Sequence, residues 1–411
     1  MTKVFVGMSG GVDSSLSAAL LVEQGYDVTG VYMKNWTADL PGMKCPWAED
    51  LADAKRVAVQ LGIPFKVFDF QKEYKSLVVD YMIREYQAGR TPNPDIMCNQ
   101  EVKFGLFLQA ALNDGADMIA TGHYAKVLRK TDLSSECVLS RGNEFLQGPG
   151  LSPVTRSAPK NFRPADETFL GAAPPRATQT SSSGPSVFLA RAKDTNKDQT
   201  YFLYRITSEA LQKTLFPIGD LTKTEVRKEA TKRGLVTARK KDSQGICFVG
   251  SVGIRDFLSQ FIESKPGNII DEKTGKTIGQ HDGAIFYTFG QRHGMGLGGG
   301  LPYYVVGKNM TKNEVYVSSD LNTHEFWRHE IELVDVHWIN PSTARTELIG
   351  KKYQIRVRHQ APLVDATLAR TELMKKSGLV IKLVEPERAI APGQSIVIYD
   401  GDVVLGGGIV K

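Results

Sequence analysis

Cysteine is scarce in this chain. Four thiols, Cys45, Cys98, Cys137 and Cys247, stand in 411 residues, and no two are spaced as C-x-x-C. That spacing excludes a zinc ribbon and a thioredoxin-type motif. So few thiols also argue against a disulfide scaffold and for a reducing compartment. Any thiol chemistry must then join residues far apart in the chain. Long apolar runs are missing as well: none approaches the roughly 18 residues of a membrane helix, so no membrane association is expected. The first apolar run, residues 4–8, passes at once into a glycine turn, which is not the shape of a signal peptide. There is no internal repeat and no Gly-Lys-Ser/Thr phosphate motif. Charge of one sign does not dominate either. A net charge of +6 with 23% charged residues is compatible with a polyanionic partner and does not demand one.

What is present first is alternation. Residues 3–8 read as a strand and 14–24 as a helix, followed by strand 27–33, helix 49–61, strand 65–68 and helix 74–88. A helix over 104–112 and a strand over 118–121 close the series. Such alternation predicts an α/β domain with a parallel sheet and ligands at the carboxyl ends of its strands. Residues 148–184 are rich in Pro, Ser, Thr, Ala and Gly, so a disordered insertion is expected over about 130–186. Cys137 lies at its front edge, and no catalytic role is expected for it. Order resumes with a strand at 187–190, a helix near 208–215 and a helix over 223–233, started by Thr222 or Thr224 and stopped by Gly234. From 285 onward the pattern is nearly all short strands, beginning with 285–289 and 303–306, which predicts a closed or nearly closed β-barrel. The expected division is 1–213, a small central domain 214–305, and a barrel domain 306–411.

The strongest motif is Gly7-Met8-Ser9-Gly10-Gly11-Val12-Asp13-Ser14-Ser15, set between a strand and a helix. A turn placed there presents backbone N–H groups to an anion. Its glycines let the backbone approach closely, and Ser9, Ser14 and Ser15 add hydroxyls at the positive end of the helix dipole. Asp13 reads equally as a metal-side carboxylate or as a helix cap. Residues 294–299 also fit G-x-G-x-x-G, but Leu301-Pro302-Tyr303-Tyr304 follows as a strand, so no dinucleotide site is expected there. Ser-Gly-Gly-Val-Asp-Ser resembles the PP-loop of the ATP pyrophosphatase superfamily, whose members adenylate a substrate and release pyrophosphate.

Cys98 lies in the stretch Gly89-Arg90-Thr91-Pro92-Asn93-Pro94-Asp95-Ile96-Met97-Cys98-Asn99, whose two prolines predict a stiff loop able to position a thiol. Cys247 follows Arg239-Lys240-Lys241-Asp242, and nearby cations favour the thiolate that a nucleophile or persulfide carrier requires. Taken singly, each cysteine reads as a small buried hydrophobe. Together with the phosphate loop, both segments resemble the tRNA-specific 2-thiouridylases, the MnmA/TRMU family. The resemblance extends to Tyr32-Met33-Lys34-Asn35-Trp36, Ala120-Thr121-Gly122-His123-Tyr124, Asn196-Lys197-Asp198-Gln199-Thr200-Tyr201-Phe202-Leu203, 242–248, Thr288-Phe289-Gly290-Gln291-Arg292 and Pro392-Gly393-Gln394-Ser395. It covers the chain apart from the insertion.

The resemblance implies a Rossmann-like PP-loop domain, of the adenine nucleotide alpha hydrolase-like kind, that binds ATP with Mg2+. Gly7 to Ser14 would hold the phosphates, with Met33 and Gly122 at the adenosine end. It implies adenylation of the wobble uridine of tRNA, then sulfur transfer from a Cys247 persulfide loaded by a sulfur-relay donor protein. Cys98 is the implied nucleophile, and a Cys98–Cys247 disulfide the implied end state. Asn93, Pro94 and Asp95 would meet the flipped base, with Asp95 as general base or orienter, although Asp95 alone also reads as the closure of an Asx turn. His123, Lys197, Asp198, Gln199, Arg358, His359 and Gln394 are the implied tRNA contacts, His359 standing where relatives commonly have tyrosine. No resident metal is implied. Lys, Glu and Gln tRNAs, a monomer, and the bacterial cytoplasm or alternatively the mitochondrial matrix complete the expectation. Two other readings stay open: a PP-loop synthetase or amidotransferase acting on a small metabolite, and an RNA-binding module that kept a nucleotide site.

Overall fold

The computed structural model describes residues 1–39, 46–129, 187–242, 253–298, 302–320, 322, 326–340, 348–370 and 378–411. The expected insertion, Cys45, Cys137 and Cys247 lie outside the described residues. The chain divides into a large unit, Met1–Leu128 with Val187–Lys411, and a second unit, Arg129–Ser186, of which only Arg129 is described.

Five parallel strands form the first sheet: β1 (Lys3–Gly7), β2 (Asp27–Lys34), β3 (Phe65–Asp69), β4 (Met118–Thr121) and a later two-residue strand, Thr214–Leu215, in the order β3-β2-β1-β4 and then that strand. Alternation explains why β1 reads as an unbroken apolar run. Phe5 enters the apolar core on one face, while Val4 and Val6 enter the core on the other. Helices α1 (Val12–Glu23) and α2 (Trp47–Leu61) belong with the Val4/Val6 face. Helices α3 (residues 71–87) and α4 (residues 94–113) cover the Phe5 face. Each of these two carries a π-helical stretch, Lys75–Val79 and Cys98–Phe107.

Helix α4 corrects the stiff loop expected around Cys98. Asn93 caps it, its Oδ1 accepting from the amides of Asp95 and Ile96 at 3.1 and 3.3 Å, and Pro94 takes the first turn, where its missing N–H costs nothing. Pro94 therefore starts a helix while Pro92 stays in the loop before it, and the turn-closing side chain is Asn93, not Asp95.

The strand-rich half also divides differently from expectation. Residues Ala284–Phe286 form a 3-10 turn in place of the strand expected at 285–289. After β5 (Ala125–Arg129), β6 (Val187–Arg191), helix α5 (Ser208–Gln212), β7 (Thr214–Leu215), α6 (Lys223–Lys232) and α7 (Ile254–Leu258), the chain builds a four-stranded sheet. It contains β8 (Gly267–Asp271), β9 (Thr277–His281), β10 (Tyr304–Asn309) and β11 (Glu314–Ser318), in the order β10-β11-β8-β9. Strands β8 and β9 escape sequence reading because they bury few side chains and so show no clean alternation. The true barrel is six-stranded: β12 (Trp327–Trp338), β15 (Leu379–Arg388), β14 (Val364–Arg370), β13 (Lys352–Arg356), β16 (Ser395–Asp400) and β17 (Val403–Val410), closed by pairing of β12 with β17. Strand β6, next to the insertion, pairs with β17 and so joins the barrel sheet instead of the parallel one. No described helix is long and apolar enough to cross a membrane.

Candidate active site

The turn between β1 and α1 lies where the strand order reverses, between β1 and β4, the position at which parallel sheets bind ligands. Gly10 has φ 76°, and a Cβ there would stand 2.3 Å from the Asp50 carbonyl oxygen, so only glycine fits. Gly122, at the end of β4, has the same restriction: a Cβ would meet the Ser14 nitrogen at 2.6 Å. Gly11 occupies the α1 N-cap without a capping side chain, which leaves first-turn N–H groups for a ligand. The serine hydroxyls are ordered around it, Ser14 Oγ accepting from the Ser9 amide at 3.2 Å and Ser15 Oγ donating to the Gly11 carbonyl at 2.8 Å.

This turn floors a cleft of about 540 Å³. Its walls come from the ends of β2 and β4, from one face of α4, from the 196–199 turn, and from His359 and Gln360. Asp95, Asn99 and Lys103 follow one another at four-residue spacing and line the cleft together. Their neighbour Cys98 is buried in the apolar core, 1% exposed, and does not line it.

His123 is buried, with Nδ1 2.8 Å from Thr121 Oγ1 and Nε2 3.4 Å from Lys103 Nζ. An ammonium can only donate, so Nε2 is the acceptor and the proton sits on Nδ1. Burial, and then the charge of Lys103, hold the imidazole well below its usual pKa. It is a neutral ring packed between Phe104 and Phe216.

A charge network crosses the cleft. Lys223 Nζ donates to both oxygens of Asp13 at 2.8 Å and lies 2.9 Å from Asp242 Oδ1. Asp242 also accepts from Lys197 at 2.9 Å and from Arg227 at 2.7 Å. Burial alone would raise the Asp242 carboxyl, but hydrogen bonds from Lys223 and Lys197 outweigh it and pull the group down to about 2. Tyr124 donates its hydroxyl to Asp13 Oδ1 at 2.9 Å. Asp13 therefore does not cap α1; its carboxylate is held by Lys223 and Tyr124.

Of the residues expected at the nucleotide, Gly7, Ser9, Gly11, Val12, Asp13, Ser14, Met33 and Gly122 line the cleft. Met8 is buried beneath it and Gly10 packs on α2. Of those expected at tRNA, Asp95, His123, Lys197, Gln199 and His359 line the same cleft, whereas Asn93 and Pro94 shape the start of α4. Asp198 is fully buried: its carboxylate accepts from Arg356 at 2.8 Å and from the Thr200 hydroxyl, which lies 2.9 Å from both of its oxygens. Arg358 stands half-exposed near Glu387, and Gln394 is held by backbone bonds to Ala391 and Val410; neither lines the cleft. The His359 ring packs on Phe202 with centroids 4.4 Å apart. Cys247 belongs to the segment 243–252, outside the described residues, immediately after Asp242.

Sequence reading missed Lys223 and Asn35. A lysine directly after the helix cap Thr222 opposes the helix dipole, and that oddity was its legible signal. Asn35 carried none.

Fold and site define an α/β protein whose glycine-rich strand-to-helix turn floors a cleft that barrel residues complete. Family profiles agree in three segments. One described as "tRNA methyl transferase HUP domain" matches residues 2–145 and 176–251, "tRNA methyl transferase PRC-barrel domain" matches 255–319, and "Aminomethyltransferase beta-barrel domain" matches 328–410. The second coincides with the four-stranded sheet and the third with the closed barrel. The chain is 40% identical over 413 residues to the tRNA-specific 2-thiouridylase MnmA of Streptococcus sanguinis, covering 99% of this chain and 95% of that protein. The same identity holds over 410 residues to its counterpart from Oceanobacillus iheyensis, covering 100% of this chain and 95% of that one. For the Staphylococcus aureus protein it holds over 409 residues, with 99% and 95% covered. The chain belongs to the tRNA-specific 2-thiouridylase family.

Proposed function

We propose that this chain uses ATP to replace O2 of the tRNA wobble uridine with sulfur. Uridine O2 attacks the α-phosphorus of ATP, forming a P–O bond and expelling pyrophosphate, while the N3 proton passes to a base, for which Asp95 is the candidate, and returns when the thiocarbonyl forms. The poor leaving group at C2 becomes AMP, which a sulfur nucleophile can displace. The terminal sulfur of a Cys247 persulfide then attacks C2 and AMP departs. Cys98 thiolate attacks the inner Cys247 sulfur, which frees the thiocarbonyl and leaves a Cys98–Cys247 disulfide. A two-electron thiol reductant regenerates both thiols, and a sulfur-donor protein reloads Cys247. Magnesium enters with the nucleotide and offsets charge on the departing pyrophosphate.

What supports this reading most is one juxtaposition: the uncapped phosphate turn and the Asp95 face of α4 open into a single cleft. A nucleotide and a nucleobase can meet there. With Cys98 buried, the sulfur step requires α4 or its neighbours to shift. The substrates are tRNAs of the Lys, Glu and Gln types, the working form a monomer, and the compartment the bacterial cytoplasm.

The test supplies ATP, sulfide and unmodified tRNA and analyses nucleosides by mass spectrometry. 2-Thiouridine and AMP are expected. AMP formed on a small acid without 2-thiouridine sinks the proposal in favour of a metabolite synthetase. The profile label suggests methyl transfer, so a parallel reaction with S-adenosylmethionine is informative, and a methylated nucleoside would overturn the proposal too. Cys98→Ser and Cys247→Ser should each abolish thiolation from a protein persulfide while leaving ATP binding intact.

A further inference from the structure

Asn99 sits one turn beyond Asp95 on α4, and both line the cleft. Its Nδ2 donates to the Phe202 carbonyl at 3.1 Å. A carbonyl only accepts, so this bond sets the amide's orientation and leaves Oδ1 as the remaining group. Among the described residues that oxygen has no hydrogen-bond partner, although Asn99 is only 4% exposed. A buried acceptor without a donor is costly, and native structures rarely keep one without a reason. Asn35 repeats the observation in the same cleft: it is 1% exposed and neither of its amide atoms has a partner among the described residues. Both amides therefore offer hydrogen-bonding atoms of defined polarity to an occupant of the cleft.

Resting on the thiouridylase reading, we propose that Asn99 selects uridine over cytidine at the target position by accepting the uracil N3–H through Oδ1. Uracil carries one donor on its pairing edge, N3–H, set between two carbonyl oxygens. Cytosine carries an acceptor at the same place, which would face the amide oxygen lone pair to lone pair. The Phe202 carbonyl denies the amide the rotation that would let it present Nδ2 to cytosine instead. Sites built around a hydrogen-bonding group reject ligands that lack its complement far more strongly than apolar sites reject a change of shape. An amide oxygen does not take up the proton at neutral pH, so Asn99 is a specificity residue and not an acid or base.

The experiment compares anticodon stem-loops that differ only at the wobble base, using competition binding to the full-length protein and the thiolation assay in parallel. For the unmodified protein, uridine should be bound about ten- to a hundredfold more tightly than cytidine or 3-methyluridine. Asn99→Ala should bring the uridine-to-cytidine ratio to within about threefold of one, because a ratio cancels any general loosening of the cleft. Asn99→Asp keeps an acceptor oxygen and should retain the preference. ATP affinity, measured on each variant, reports whether it is folded. If Asn99→Ala keeps the full ratio while thiolation proceeds, the inference is wrong and the thiouridylase reading stands. Equal binding of uridine and 3-methyluridine by the unmodified protein overturns it without any variant. Failure of that protein to thiolate any uridine removes both.

Discussion

Lys223 holds two carboxylates that arrive from distant parts of the chain, Asp13 beside the phosphate turn and Asp242 at the edge of the Cys247 segment. With Lys223→Met, Asp13 would face an incoming polyphosphate without its cation, while Asp242 keeps only Lys197 and Arg227. ATP affinity is expected to fall about tenfold or more by calorimetric titration, with Lys223→Arg recovering much of it; the partial exposure of the carboxylates keeps the figure modest. An unchanged dissociation constant would show that the lysine serves only the fold. His123 supports a different expectation. Its folded pKa lies well below the unfolded value of 6.5, so the unfolded chain binds the proton first. The stability this neutral ring contributes is complete above pH 6.5 and declines as pH falls below it, by about 1.4 kcal/mol per pH unit. His123→Gln should flatten the slope of the urea midpoint between pH 6.5 and 5.

At the scale of elements, two helix starts position the chemistry. Thr222 and Glu225 form a reciprocal capping box on α6, and the chain leaving that cap carries Lys223 into the cleft. Thr222→Ala should cost about 1 kcal/mol of stability and also raise the KM for ATP, because Lys223 loses its anchored base. A stability loss with no change in KM would separate the cap from the site. This start was legible, since Thr-x-x-Glu before a helical pattern is a local signal. The start of α4 was less so. Asn93-Pro94 is equally local, but the following helix runs through a ten-residue π stretch, which shifts the helical period that sequence reading relies on. That shift explains why the helix was expected only from 104 and Cys98 was assigned to a loop.

At the scale of the whole chain, Asp198 is the buried link between the turn at 196–199 and the barrel. Arg356, on β13, donates to it at 2.8 Å, and Arg191, on β6, lies 3.8 Å away. Removing one member of a buried, hydrogen-bonded ion pair leaves the other charge uncompensated. Asp198→Ala should therefore destabilise the protein by about 3–5 kcal/mol, seen as a lowered urea midpoint, and Asp198→Asn by less. Retention of the parent midpoint in Asp198→Ala would mean that the link contributes nothing to holding the barrel in place. Such a result would also reopen Asp198 as a surface contact for tRNA.

The phosphate turn, the α/β alternation and the strand-rich second half could be read from the chain alone, because each is written in neighbouring residues through glycine chemistry and apolar period. Tertiary structure decided what those parts make together. Asp13 and Lys223 meet across 210 positions, and Asn99 and the Phe202 carbonyl across 103. Contacts that long leave no periodic trace. The neutral state of His123, the burial of Cys98 and the unsatisfied oxygen of Asn99 likewise follow from desolvation, which only the packed molecule imposes.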